Sequence, residues 1–281
     1  MLRVIQLNVA RFSGGIKQIT HALKSIVLNP KASVICLNEV DLRQGSDALR
    51  QIASACLEDP HISFFGHVAK GMYGNAILSS FPFDEKASTK VHLRGGSQVK
   101  FRGQTRRIVR GLNSAKLCLP NDKRLRIIST HLDHMNESER AAQIDHVVEL
   151  VDTDFCKDDL IILAGDLNAL KQADYSKLQW KILEDRAREN DWSMPTDCIA
   201  LNKLCDVGLQ DSFITGTITE SEFTAHVGSP MYRIDYVYSR GLHVVKSFVD
   251  QSVKVSDHYP VIVDFEDNKK NDILTSSSSS L

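Results

Sequence analysis

The stretch Ile161-Ile162-Leu163-Ala164-Gly165-Asp166-Leu167-Asn168 decides how the chain is read. A short run of branched apolar residues closes on a glycine, the pattern of a buried strand ending in a turn. Alternate residues of a strand share a face, so Asp166 and Asn168 are expected at the strand's end with both polar heads on one side. A carboxylate acceptor beside an amide donor on a rigid element suits the aiming of a water at a phosphate. An ordinary Asp-Leu-Asn turn would use the same residues, so the rest of the chain carries the decision.

Working outward, other apolar runs end in the same kind of residue. Residues 2–9 read as a strand closing at Asn8, and residues 32–37 as a second that delivers Asn38-Glu39. Residues 125–132 form a strand carrying Thr130-His131. Asp235 lies in Arg233-Ile234-Asp235-Tyr236-Val237-Tyr238, and Asp257-His258 precedes Tyr259-Pro260. Singly, each has a plain structural reading: Glu39 a turn acid, His131 a core histidine, Asp235 a salt-bridge partner. Acids, amides and histidines repeated at strand ends describe a site assembled on a rigid sheet.

The remaining pattern gives the architecture. Ile16, Ile19, Leu23 and Ile26 space a helix that Asn29-Pro30 stops, and residues 48–57 read as another. Residues 62–68, 76–79 and 86–93 read as strands, with Met72-Tyr73-Gly74-Asn75 as a connection between the first two. Residues 92–110 hold arginines, Lys100 and glycines but no acid; they read as a flexible basic hairpin end running into a strand at 108–119. Residues 137–151 form an amphipathic helix capped by Asn136. Residues 171–204, with both tryptophans, read as helix plus loops, and residues 209–214, 223–226, 234–238, 242–249 and 261–265 as strands. The polar, serine-ending tail 267–281 is expected to be disordered, leaving one domain over 1–266. Strands outnumber helices and many are joined by short turns. This predicts an α/β fold of two packed, mostly antiparallel sheets with helices outside.

Bulk composition excludes little. A chain of 281 residues with 42% hydrophobic content and a net charge of −1 is an ordinary globular protein, with no global pull toward nucleic acid or an anionic membrane. Its six cysteines show neither a CxxC pair nor zinc spacing, and several sit in apolar runs. The start reads as a strand, not a signal peptide, and no apolar run is long enough to span a bilayer. A reducing intracellular compartment is expected, cytoplasmic or nuclear, with no stable membrane anchor; oligomeric state is open.

In order, Leu7-Asn8-Val9, Ile35-Cys36-Leu37-Asn38-Glu39-Val40, Gly74-Asn75-Ala76-Ile77-Leu78-Ser79, Ser129-Thr130-His131-Leu132, Gly165-Asp166-Leu167-Asn168, Arg233-Ile234-Asp235-Tyr236-Val237 and Ser256-Asp257-His258-Tyr259-Pro260 run nearly the length of the chain. This set resembles the endonuclease/exonuclease/phosphatase superfamily, the DNase I-like metal-dependent phosphoesterases. The resemblance implies a four-layered α/β sandwich and hydrolysis of a P–O bond with Mg²⁺, or alternatively Mn²⁺. It implies Glu39 as main metal ligand, with Asn8 and Asp257 in or beside its shell. Asp166 would orient or deprotonate the attacking water, and Asn168 would hold the phosphate or the metal shell. His258, paired with Asp235, would grip the phosphate together with His131, and Arg110 and Asn75 would contact substrate. Two departures stand out: Ala10 where some nucleases carry an acid, and Asn38 where glutamine is frequent. The substrate that the resemblance implies is a phosphate ester, either nucleic acid or a small-molecule or lipid headgroup. An inactive phosphate-binding module is the alternative of another class.

Overall fold

A computed structural model describes residues 1–101, 103–120, 123–155, 160–190, 192–193, 199–213 and 218–266. The expected disordered tail, 267–281, lies outside the described residues. One six-stranded sheet has the order β13-β14-β1-β2-β4-β3. Its strands are β1 (Leu2–Asn8), β2 (Ser33–Asp41), β3 (His61–Val68), β4 (Tyr73–Ser79), β13 (Val244–Val249) and β14 (Val261–Phe265). The second runs β11-β12-β10-β9-β8-β5. It comprises β5 (Phe83–His92), β8 (Gly111–Cys118), β9 (Arg124–His131), β10 (Leu160–Asp166), β11 (Gln210–Asp211) and β12 (Asp235–Arg240). A separate hairpin joins β6 (Gln98–Phe101) to β7 (Gln104–Arg107).

The layers follow from strand parity. Ile5 and Leu7 of β1 and Ile35 and Leu37 of β2 pack on α1 (Ile16–Ile26) and α2 (Ala48–Cys56). Ile161 and Leu163 of β10 pack instead on α3 (Glu137–Thr153) and α5 (Ile199–Asp206). The alternate residues, Val4, Val34, Ile127, Ile162 and Val237 among them, form a third core between the two sheets. Helix, sheet, sheet, helix is the four-layered α/β sandwich. α4 (Lys177–Glu189) stands at one end of it, started by a capping box between Ser176 and Gln179.

Only one neighbour pair in each sheet is parallel: β1 with β2, and β9 with β10. Both pairs carry their C-terminal ends to the same end of the sandwich. Antiparallel neighbours bring the N-terminal ends of β4, β8 and β12 there too. On the face looking between the sheets the apolar residues give way, at this end, to Gln6, Asn8, Asn38, Asn75, His131, Asp166 and Asp235. All seven are buried.

Several boundaries differ from expectation. β4 begins at Tyr73, so the expected 72–75 connection is mostly strand. Residues 108–110 are not in a strand; Gly95 and Gly96, at φ +73° and +121°, turn the chain out of β5 into the hairpin, and β8 starts at Gly111. A Cβ on Gly96 would stand 2.0 Å from the Ile108 carbonyl oxygen, so the hairpin closes only around a glycine. Residues 223–226 are not a sheet strand either: Ala225 bridges Tyr232 on one side and His258 on the other. The strand expected at 209–214 shrinks to Gln210–Asp211, and residue 214 lies outside the described residues. No helix among the described residues is long and apolar enough to cross a membrane.

Candidate active site

The polar end of the inter-sheet face is an amide and carboxylate lattice. Gln6 Nε2 donates to Asn38 Oδ1 at 2.7 Å. Asn38 Nδ2 donates to Asn75 Oδ1 and to the Thr130 carbonyl, each at 3.0 Å, and its Oδ1 also accepts from the Asp166 backbone N–H at 2.8 Å. Asn75 Nδ2 donates to the Gly111 carbonyl at 2.7 Å. Both heads of Asn75, expected at the substrate, are therefore used in tying the sheets together, and it is fully buried. Asn8 is likewise a brace. Its Nδ2 donates to Asp166 Oδ2 at 2.9 Å and its Oδ1 accepts from the Ala10 N–H at 2.9 Å.

Asp166 is the last residue of β10, and Asn168 lies beyond the strand in the left-handed region, at φ +49°. The two polar heads meet through a turn and not through strand alternation. The Asn168 N–H donates to Asp166 Oδ1 at 3.1 Å, and Asn168 Nδ2 donates to the Leu132 carbonyl at 3.2 Å. This leaves the Asn168 side-chain oxygen without one of the hydrogen bonds just described, at the cleft. Turn chemistry and site geometry are here the same thing.

Asp166 Oδ2 faces two histidines: His131 Nε2 at 3.4 Å and His258 Nε2 at 3.8 Å. Their charge states differ. His258 Nδ1 meets Asp235 Oδ2 at 2.7 Å. Burial alone would lower its pKa, but the carboxylates of Asp235 and then Asp166 outweigh it and hold His258 at about 10. It is an imidazolium at neutral pH. His131 is driven well below the usual histidine range, first by burial and then by the Arg110 guanidinium. Arg110, a donor only, points an η nitrogen at His131 Nδ1 at 3.2 Å. That contact makes Nδ1 the acceptor and puts the proton of the neutral ring on Nε2. Burial, followed by the neighbouring Asp235, raises the Asp166 carboxyl above the usual range, against the pull of His258 and Asn8.

Glu39 reaches the cleft by a bulge. Residues 35 and 37 face α1 and α2, yet so does Val40, because the β2–β4 register shifts between Leu37 and Val40. Glu39 sits in that shift at φ +55° and lines the cleft, with Arg11 Nε 3.8 Å from its carboxylate. Bulges re-aim side chains in this way beside active sites. The strand thus runs through Asn38 and Glu39 where it was expected to stop before them. Asp257 lies on the same cleft, more than half exposed, with Ser256 Oγ donating to it at 3.3 Å.

These residues fit a hard divalent cation. Asp166, Asp235 and His258 have ligand atoms within 4.8 Å of one another, but the Asp235–His258 bond occupies Nδ1 and a protonated ring repels a cation. Glu39 and Asp257 line the cleft with carboxylates, the hard oxygen donors such a cation takes, one of them presented by a strained bulge. The cleft, about 870 Å³, is also lined by residues the sequence did not single out: Arg11, His134, His226 and Trp192. Trp192 belongs to the tryptophan-bearing region 171–204, and His134 stands three residues after His131; Arg11 and His226 carried no signal of their own.

Comparison with known proteins gives the family. Residues 5–258 match the model of the Endonuclease/Exonuclease/phosphatase family. An uncharacterized protein of Acanthamoeba polyphaga mimivirus is 32% identical over 152 residues, 52% of this chain and 51% of that protein. The chain thus matches about half the length of that curated relative. Among solved structures, a mannosyl-6-phosphatase of Bacteroides thetaiotaomicron superposes with a TM-score of 0.65 at 17% identity, covering 95% of this chain and 100% of that one. Truncated Caenorhabditis elegans TDP2 gives 0.59 at 17% identity over 95% and 97%. The human Nocturnin catalytic domain with bound sulfate gives 0.61 at 17% over 94% and 94%. At these identities the structures speak for the fold, and the family match covers most of the chain. The protein belongs to the endonuclease/exonuclease/phosphatase family.

Proposed function

We propose that the protein is a divalent-metal-dependent phosphoesterase that hydrolyses a P–O bond by in-line attack of water. The observation that carries this is the placement of a raised-pKa carboxylate, Asp166, beside an imidazolium, His258, and a neutral imidazole, His131, in one cleft. Asp166 orients the water and takes its proton, which its raised pKa suits near neutrality. His258 offers Nε2–H to the phosphate oxygens as charge builds on them, and Asp235 keeps the ring charged and oriented. His131 offers Nε2–H as a neutral donor. Arg110, behind His131, supplies positive charge, and Asn168 lends its amide oxygen. A bound Mg²⁺ or Mn²⁺ at Glu39 and Asp257 would supply Lewis-acid neutralisation of the phosphate. Asn8 holds Asp166 in place. The cellular location that goes with this reading is intracellular.

Metal-stripped protein should turn over p-nitrophenyl and bis-p-nitrophenyl phosphates only after Mg²⁺ or Mn²⁺ is restored. A side-by-side panel of plasmid DNA, single-stranded RNA, abasic duplex, sphingomyelin and inositol phosphates then separates nuclease from small-molecule or lipid phosphoesterase. No metal-dependent turnover of any of these, with Asp166→Asn matching the native chain, would leave the binding-module alternative standing.

A further inference from the structure

One wall of the cleft takes no part in the chemistry above. Val99, Ile108, Met135, Leu170, Leu183 and Trp192 line it, in the same cleft as Asp166 and His131. They come from the base of the β6–β7 hairpin, the β9–α3 loop, the turn after β10, and α4 with the residues that follow it. The wall is fixed from both sides by one short segment. On the hairpin side Asp133 accepts from the Ser97 N–H and Oγ–H, each at 2.8 Å, and Glu139 accepts from the Gly96 N–H at 2.6 Å. On the α4 side the Ser193 N–H and Oγ–H both donate to the Met135 carbonyl, at 3.0 and 2.9 Å, and the Trp192 N–H donates to the Ala187 carbonyl at 2.9 Å. An apolar shelf held this way costs little to organise when a ligand arrives.

The rim above it is basic in a particular way. Every Lys or Arg that lines the cleft is an arginine. Some are committed: Arg43 to Asp41, Arg140 to Glu137, Arg110 to His131. Arg107, exposed at the end of β7, makes no side-chain hydrogen bond or ion pair among the described residues. Guanidinium groups bind phosphate through a planar fork of paired donors and stack face to face on flat rings, where an ammonium acts as a point charge. Trp192, about a third exposed, offers an indole at the open edge.

We propose that this shelf is a subsite for a flat aromatic ring carried next to the scissile phosphate, with a second anionic group reaching Arg107. That is the chemistry of a nucleotide, free or at the end of a single strand. An acyl chain would use the apolar wall but bring no second anion to the rim. The proposal rests on the phosphoesterase reading, and its test is a binding measurement that needs no turnover.

The chain carries two tryptophans. Trp180→Phe therefore leaves Trp192 as the only indole reporter, and Asp166→Asn in the same protein stops consumption of ligand. Quenching of Trp192 is followed with 5′-AMP against ribose 5-phosphate, with oligodeoxyadenylate against an oligomer of abasic residues, and with lysophosphatidate. The expected result is half-saturation by AMP at least about tenfold below that by ribose 5-phosphate, a gap of the size base stacking produces. Adding Ile108→Ser should shrink the gap below about threefold. Tighter binding of the oligomer than of AMP, lost in Arg107→Gln, assigns a strand end; equal binding assigns a free nucleotide; both support the ring subsite. Equal affinity for AMP and ribose 5-phosphate, tighter binding of lysophosphatidate than of AMP, or no quenching by any ligand overturns it. The AMP comparison needs no shelf variant, so a misfolded Ile108→Ser protein does not blunt it. A native chain with no turnover but a ring-selective reporter keeps the shelf and loses the phosphoesterase reading. Turnover without ring selectivity does the reverse.

Discussion

The cleft has a floor and a wall, and they are built by opposite means. The floor is the point where regular strands change character. Asn8, Asn38, His131, Asp166 and Asp235 continue the inter-sheet faces of their strands past the last apolar layer, and each is held by a side-chain hydrogen bond, Asn8 to Asp166, Asn38 to Thr130, His131 to Arg110 and Asp235 to His258. The wall is made of residues from a hairpin, a loop, a turn and a helix end, tied to one segment around Asp133 and Met135. A rigid floor fixes reaction geometry, while a wall outside the sheets can vary without disturbing it. The chemistry should therefore fail when the floor is changed, and the choice of substrate when the wall is.

Four substitutions would break or sharpen this contrast. Asp166→Asn should cost the most, lowering kcat by about 10²–10⁴-fold, the usual range for losing a general base, with ligand quenching of Trp192 retained. Asp235→Asn comes next, at about 10–100-fold, and with a change of pH profile that a merely structural role would not give. His258 acts protonated and is held at about 10, so activity should fall as pH rises through that value. Removing the carboxylate lowers the His258 pKa, and the alkaline fall should move to lower pH. Trp192→Ala should reduce kcat/KM about tenfold for ring-bearing phosphate esters and leave ringless ones unchanged, within the range of base–aromatic stacking.

Asp133→Asn should have the smallest effect on rate and a clear one on stability. Asp133 is fully buried, and although burial works the other way, hydrogen bonds from Ser97, Met135 and Asn136 hold its carboxyl below the usual range. A depressed carboxyl stabilises the fold above its unfolded value, about 3.9, and loses that contribution as pH falls through the folded value. The variant should lose about 1–3 kcal/mol in urea unfolding at pH 7. That deficit should narrow below the ordinary carboxylate range; a constant difference down to pH 3 would contradict the carboxylate account.

The floor was legible in the sequence because strand alternation and polar residues at strand ends are both written in residue order. Glu39 could be named as a residue, but not its bulge: a register shift depends on the partner strand, and β4 lies more than thirty residues downstream. Asn168 was placed by alternation and is in fact presented by a left-handed turn, since β10 ends at Asp166. Asn75 was expected at the substrate through the resemblance alone; strand parity puts it in the lattice between the sheets. The wall was legible only in outline, as a basic hairpin end over 92–110 and a helix-plus-loop region over 171–204. Val99, Met135, Leu170 and Trp192 become neighbours only through the folded cleft, and none carries a pattern of its own.

The most direct test of the account is hydrolysis of a phosphate ester in ¹⁸O-labelled water, with Mg²⁺ restored and the product phosphate analysed by mass. The account predicts one labelled oxygen entering the phosphate per bond broken by the native chain, and none in the alcohol, with Asp166→Asn nearly inactive. Label found in the alcohol, or label entering the phosphate equally fast in Asp166→Asn, would contradict attack on phosphorus by a water that Asp166 aims.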